Sequence, residues 1–229
     1  MLPKAQDAEF VCAMEDVLEV YSRPYDEKRP VVCVDEATKQ LVADVTPPVP
    51  MQPGQPARED YEYGRRGTAN LFMQFEPLAG RRHVKVTDRR TSADFAHVLR
   101  DLSDVHYPQA EKIVLVMDNL STHKLAVLYD VFPAEEARWL YERFEVHHTP
   151  KHASWLNMAE CELSVLARQC LDRRIDSRPQ LAIDVRCWEE PRNHQQVRVD
   201  WQFTTGNARI KLKRLYPVLS PVNQAATDH

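Results

Sequence analysis

The chain has 229 residues, 43% of them hydrophobic and 28% charged, with a formal net charge of −4. That length supports one sizeable core, the composition argues against wholesale disorder, and the acidic balance excludes a surface whose main task is general electrostatic grip on nucleic acid. No apolar run reaches membrane-spanning length, and MLPKAQDAEF lacks the basic and apolar regions of a secretory signal, so a cytoplasmic protein without membrane contact is expected.

Taken in order, Asp7 to Tyr21 places Phe10, Val11, Met14, Val17, Leu18 and Tyr21 at helical spacing. Arg23-Pro24 and Arg29-Pro30 then impose an extended connection. In PVVCVDEA, residues 30–37, a β-branched run leads into Asp35 and Glu36, which predicts a buried strand with a carboxylate at or near its end. TPPVPMQPGQP, residues 46–56, holds five prolines and reads as an extended loop. Tyr61, Tyr63, Leu71, Met73 and Phe75 suggest a hairpin turned around Gly64 to Gly67, and Pro77 to Gly80 should join the next pair of strands, the second at His83 to Val86. Thr91 or Ser92 is a natural N-cap for a helix with Phe95, Val98, Leu99 and Leu102 as its stripe, ending near Tyr107-Pro108.

The run Ile113 to Met117 predicts a strand buried on both faces, and it stops at Asp118 and Asn119. Leu125 to Arg143 is helical in pattern but broken at Pro133, and Phe144 to His148 is a short strand. From Trp155 to Arg174 a helix is expected with a narrow seam of Leu156, Ala159, Leu163, Leu166 and Cys170. Arg178-Pro179 opens another, with Leu181, Ile183, Val185 and Trp188 inward, and the chain turns polar past Pro191. A last helix is expected over Asn207 to Leu215, before a frayed tail. The domain reading is an N-terminal helix and linker over 1–29, a catalytic domain over 30–217 and a flexible tail over 218–229.

Strands and helices in this order suggest an α/β protein, a mixed sheet flanked by helices. Ligands of such sheets sit beyond the carboxyl ends of the strands, where Asp118 lies. Two strand-borne aspartates and a nearby helix bearing Glu160 and Glu162 supply what a two-metal site requires. Magnesium prefers hard carboxylate oxygens, and a pair of ions roughly 3.5–4 Å apart can serve the attacking and leaving oxygens of an in-line displacement. Helical geometry leaves Glu160 and Glu162 open, since they lie on opposite flanks of the apolar seam. The five scattered cysteines form no C-x-x-C pair, and His123, His147, His148 and His152 fit no zinc pattern with them.

The segments VVCVDE, DYEYGRRGTANLFMQFEPLAG, VLVMDNLSTHK, FEVHHTPKHASWLNMAECELSVLARQCL and DWQFTTGNARIKLKRLYP, occurring in that order, resemble the catalytic region of a bacterial insertion-sequence transposase of the DDE group related to mariner-type elements. The resemblance implies a ribonuclease-H-like fold and DNA strand cleavage and transfer dependent on Mg2+ or Mn2+, with two ions. It matches Asp35 to the first acid, Asp118 to the second and Glu160 to the third, the last by its place three residues after Asn157. In related enzymes fewer residues usually separate the second and third acids than the 41 found here, and the excess falls around VFPAEEARWLYERF. The family also carries an N-terminal helix-turn-helix, and none is read ahead of Asp7. The expectation is therefore a catalytic half from a split or truncated element, or a chain that reaches DNA through a separate helix-turn-helix partner.

Arg65, Arg66, Lys151, His152, Lys211 and Lys213 are candidate DNA contacts, Lys211 and Lys213 forming a patch with Arg209 and Arg214 on the late helix. Asn119 and His123, close behind the second acid, are candidates for orienting water or phosphate. Transposon ends and target DNA are the expected partners, with homodimerisation possible. The alternatives are a catalytically silent transposase remnant that binds DNA or an intact transposase, and a ribonuclease-type nuclease acting on RNA–DNA hybrids.

Overall fold

The computed structural model describes residue 3 and residues 6–45, 53–54, 62–119 and 124–218. His123, Tyr61, most of the proline-rich stretch and residues 219–229 lie outside the described residues. Helix α1 spans Ala8–Tyr21, capped by Asp7, whose side chain accepts from the Phe10 amide at 2.9 Å. Three strands follow: β1 Val31–Asp44, β2 Tyr63–Glu76 and β3 Arg81–Thr87. Helix α2, Ser92–Asp101, starts on a reciprocal capping box between Thr91 and Asp94 and runs into a π-helical turn, Leu102–His106. Next come β4 Ile113–Met117, α3 Val127–Val131, α4 Ala134–Arg143 and β5 Phe144–His148. The chain continues through a 3-10 turn, Ser154–Leu156, into α5 Met158–Gln169, α6 Arg178–His194 and α7 Thr205–Lys211, ending in a second 3-10 turn, Lys213–Leu215.

The sheet order is β3-β2-β1-β4-β5. β1, β2 and β3 pair antiparallel, while β4 and β5 run parallel to β1, so the sheet is mixed. Alternation along each strand divides the core in two. Val32, Val34, Ile113, Leu115 and Met117 meet α2, α3 and α4 on one face. Cys33, Val114, Val116, Leu71, Met73 and Phe75 meet α1, α5, α6 and α7 on the other. Burial of both faces is why the β4 sequence shows an unbroken apolar run. Helix α1 shares the second core through Phe10, Met14, Val17, Leu18, Val20 and Tyr21, which ties it to the sheet.

Five sequence expectations need correction. Gly64 to Gly67 does not turn a hairpin: β2 runs straight through, and the pairing slips between Gln40 and Val42 opposite a bulge at which Gly67 adopts φ +94°. The hairpin turn is the one at Pro77 to Gly80, as expected. β1 does not end near Asp35 but continues for nine more residues against β2, so Asp35 is mid-strand. Helix α5 starts at Met158 rather than Trp155, because Asn157 caps it, and α6 continues through Pro191 to His194 with Ile183 exposed. The late helix closes at Lys211, which leaves Lys213 and Arg214 on the following 3-10 turn.

Candidate active site

Parallel pairing matches Val31 with Val114, Val32 with Leu115 and Cys33 with Val116, so the same register carries Asp35 level with Asp118. Both belong to the alternation set of Cys33 and Val116, which faces α5. Asp118 stands one residue past the end of β4. Its carbonyl oxygen lies 3.3 Å from His148 Nδ1, and the Thr149 amide donates to the Met117 carbonyl at 2.9 Å, which holds the β4 and β5 tips side by side.

Glu160 sits in the first turn of α5, where the helix dipole favours a carboxylate. Its helix is joined to β1 by Asn157. The Asn157 side-chain oxygen accepts from the Ala159 amide at 3.0 Å as an N-cap, and its side-chain nitrogen donates to the Val34 carbonyl at 3.1 Å, one residue before Asp35. Tyr21 adds a second tie, its buried hydroxyl donating to the Leu156 carbonyl at 2.5 Å. Asn157 entered the sequence reading only as a motif landmark. The signal for its structural role was present, an Asn directly before an amphipathic run.

Asp118 and Glu160 both act electrostatically on Asp35. Asp35 is pushed up to about 7, first by burial and then, against the lowering effect of the Glu36 amide, by the negative charges of Asp118, Glu36 and Glu160. No cation figures among its principal influences. Among the described residues, no three His, Cys, Asp or Glu side chains are drawn closely enough together to enclose an ion. The donor set is entirely hard carboxylate oxygen, so the chemistry of these residues fits a divalent cation such as Mg2+ or Mn2+.

Glu162 has a different environment from Glu160. It is 4% exposed, with Arg82 Nε at 2.8 Å and Arg192 Nη2 at 2.9 Å from its Oε1, whereas Glu160 is exposed. The two acids that helical spacing leaves open thus differ in surroundings: Glu162 is a buried ion-pair partner on the other flank of α5.

The other candidates divide. Asn119, Lys151 and His152 line one cleft of about 620 Å³ with His148, Thr149, Pro150 and residues of α1, and His152 takes a left-handed φ of 64° at its lip. Arg65 and Arg66 are exposed on β2 beyond the level of Asp35, not on a hairpin tip. Lys211 lies over the Phe203 ring at 5.7 Å, and Arg209 is engaged by Glu15 at 2.8 Å, so the expected basic helix is partly spent on packing against α1. His147 bonds Asp16 at 2.7 Å and Glu145 at 3.0 Å, a structural role.

The family model for DDE superfamily endonucleases matches residues 30–182, from the start of β1 into α6. The chain belongs to the DDE superfamily of endonucleases. The match agrees with the resemblance to mariner-related DDE transposases read from the motifs. No curated protein sequence matches the chain. Among solved structures, the Mos1 mariner paired end complex with Mn aligns at TM-score 0.55 and 16% identity, over 86% of this chain and 61% of that one. The Mos1 Strand Transfer Complex gives 0.57 and 15%, over 86% and 60%. A pre-cleavage Mos1 transpososome gives 0.55 and 14%, over 96% and 67%. At these identities the likeness concerns the fold: the mixed five-stranded sheet flanked by helices is the ribonuclease-H-like fold of that transposase. This DDE-family chain spans about 60% of the length of the first two Mos1 chains. Among its described residues no helix is long and apolar enough to cross a membrane.

Proposed function

We propose that this chain is the catalytic domain of a DDE transposase, which cleaves a DNA strand at a transposon end and joins the freed 3′-hydroxyl to target DNA. What supports the reading is the placement of the elements that bear the three acids: one register carries Asp35 and Asp118 to the same level of adjacent parallel strands, and Asn157 ties the helix bearing Glu160 to β1. In this proposal Asp35, Asp118 and Glu160 hold two Mg2+ or Mn2+ ions. Bound ions would supply charge neutralisation at the scissile phosphate and activation of the attacking oxygen.

The chain's own part is to position and to discriminate. Asp35, fixed in the strand ladder against Met73, orients the site. Asn119, Lys151 and His152 bind the DNA backbone in the cleft beside Asp118, and Arg65 and Arg66 contact it from β2. Lys211 and Lys213 are weaker candidates, given the packing of their segment. The proposal extends to the division of the chain at residues 29 and 217, a cytoplasmic setting, a dimeric assembly on DNA, and a helix-turn-helix that reads the transposon ends, on this chain's own longer form or on a separate one.

The test is incubation of the chain, alone and fused to an end-binding domain, with plasmid carrying the element's termini and Mn2+. Nicking is expected for the wild type and lost in Asp35→Ala and Asp118→Ala; nicking that survives either substitution overturns the site assignment. A silent remnant would neither nick nor gain thermal stability from Mn2+.

A further inference from the structure

We infer that the buried Arg82–Glu162–Arg192 cluster is a positioning device for Glu160, setting the rotation and axial placement of α5 against the sheet; the inference rests on the metal-site reading proposed above. Arg82 is fully buried at the start of β3, and Glu162 is 4% exposed two residues after Glu160. Two residues along a helix turn through roughly 200°, which puts Glu160 outward on one flank and Glu162 inward on the other. Whatever holds Glu162 therefore fixes where Glu160 points.

Arg82 is well suited to be that hold because it is itself immobilised. Its guanidinium donates to the Gly80 carbonyl at 3.0 Å, the Val197 carbonyl at 2.7 Å and the Asn193 side chain at 3.2 Å, and its ring-facing side lies 4.9 Å from the Phe75 centroid. Its backbone amide and carbonyl are both bonded to the Asn193 side chain, at 2.8 and 2.7 Å. Arg192, in the last turn of α6, donates twice to the same Glu162 oxygen, at 3.1 and 2.9 Å. Asn157 and Tyr21 tie α5 only at its start, and a helix held at one end is free to pivot. A second pin five residues on, about 7.5 Å along the axis, removes that freedom.

Energetics point the same way. Three charges in a protein interior are poor stabilisers, since apolar groups of similar volume are often as good or better. The ion cluster does what an apolar contact cannot, by making one rotational setting of α5 far better than its neighbours. A misplacement of about 1 Å at a reacting centre can cost on the order of 100-fold, so the setting matters.

The experiment measures Mn2+ affinity of the full chain by calorimetry and by the metal-dependent rise in melting temperature, with strand nicking followed in parallel. The variants are Glu162→Gln, Arg192→Gln and the apolar pair Arg82→Leu with Glu162→Leu, alongside Asp35→Asn as the control for the site. The expected result is a folded apolar-pair variant with its Mn2+ half-saturation raised on the order of 10-fold and its nicking KM for DNA unchanged. If the apolar pair does not fold, Glu162→Gln and Arg192→Gln carry the same expectation. Variants that melt lower yet bind Mn2+ with wild-type affinity would reduce the cluster to a structural role and overturn the inference. If Asp35→Asn also leaves Mn2+ affinity untouched, the metal-site reading itself has failed, a distinct outcome.

Discussion

Replacing Asp35 by Asn should make the metal-free protein more stable at neutral and alkaline pH. The Asp35 carboxyl is raised from 3.8 to about 7, chiefly by burial and by the charges of Asp118, Glu36 and Glu160. At about 1.36 kcal/mol per pKa unit, ionised Asp35 costs the fold roughly 4 kcal/mol, and about 2 kcal/mol once solvent reaching the half-buried group is allowed for. The sign follows from proton counting. Between about pH 4 and pH 7 the folded chain holds the Asp35 proton more tightly than the unfolded chain, so stability falls as pH rises through that window. Asn removes the penalty and its oxygen can still accept from the Glu36 amide, a bond of 2.8 Å in the structure. Urea denaturation at pH 8 should show a gain of roughly 2–4 kcal/mol, shrinking to about 1 kcal/mol near pH 4.5. An equal or lower midpoint for Asp35→Asn at pH 8, or a gain independent of pH, would refute the reasoning.

Mn2+ should stabilise the wild type by roughly 2.7 kcal/mol at one hundred times its Kd, and the effect should weaken steeply from pH 8 to pH 6 as Asp35 retains its proton; thermal melts across that range check it. Asn157→Ala removes both the cap on α5 and the bond to the Val34 carbonyl, and should cost about 1–2 kcal/mol in denaturant titration while lowering Mn2+ affinity. Gly80→Ala should be the more damaging of two glycine substitutions. Its φ is +66° and a Cβ would lie 2.5 Å from the Gln196 backbone, so a loss above roughly 2 kcal/mol is expected. Gly67→Ala, at φ +94° with nothing within 4 Å, should lose only about 1 kcal/mol in the same assay.

How much of this was legible in the residues depended on how locally each feature is determined. The β4 run, the Thr91 cap, the Pro133 break and the turn at Pro77 to Gly80 are written in neighbouring residues, and all four are present. The glycines at 64 and 67 misled because a turn and a bulge ask for the same thing, a residue tolerant of positive φ. The length of β1 was hidden because its second half, ATKQLVAD, has only Leu41 buried and owes its extension to β2 and to the segment after α5, where the Val42 amide donates to Ile175 and Lys39 to Leu171. Helical spacing left Glu160 and Glu162 open and only the motif favoured Glu160, since the residue that makes their surroundings differ, Arg82, comes from a different strand. Basic residues were the least readable class. Arg209 is committed to Glu15, while Lys151 lines a cleft, and nothing in their immediate neighbours separates the two.

The continuation of β1 past Asp35 makes the three acids unequal in backbone setting. Asp35 is clamped within a ladder, opposite Met73, and its backbone cannot shift without unzipping two strands. Asp118 stands outside the ladder and Glu160 at the exposed first turn of a helix. In the metal-site reading proposed above, a cation would be held between one acid inside a ladder and two outside it. Spectroscopic labels beside Asp118 and at α5 should therefore report ion capture, and a label on β1 should serve as the fixed reference against which their displacement is measured.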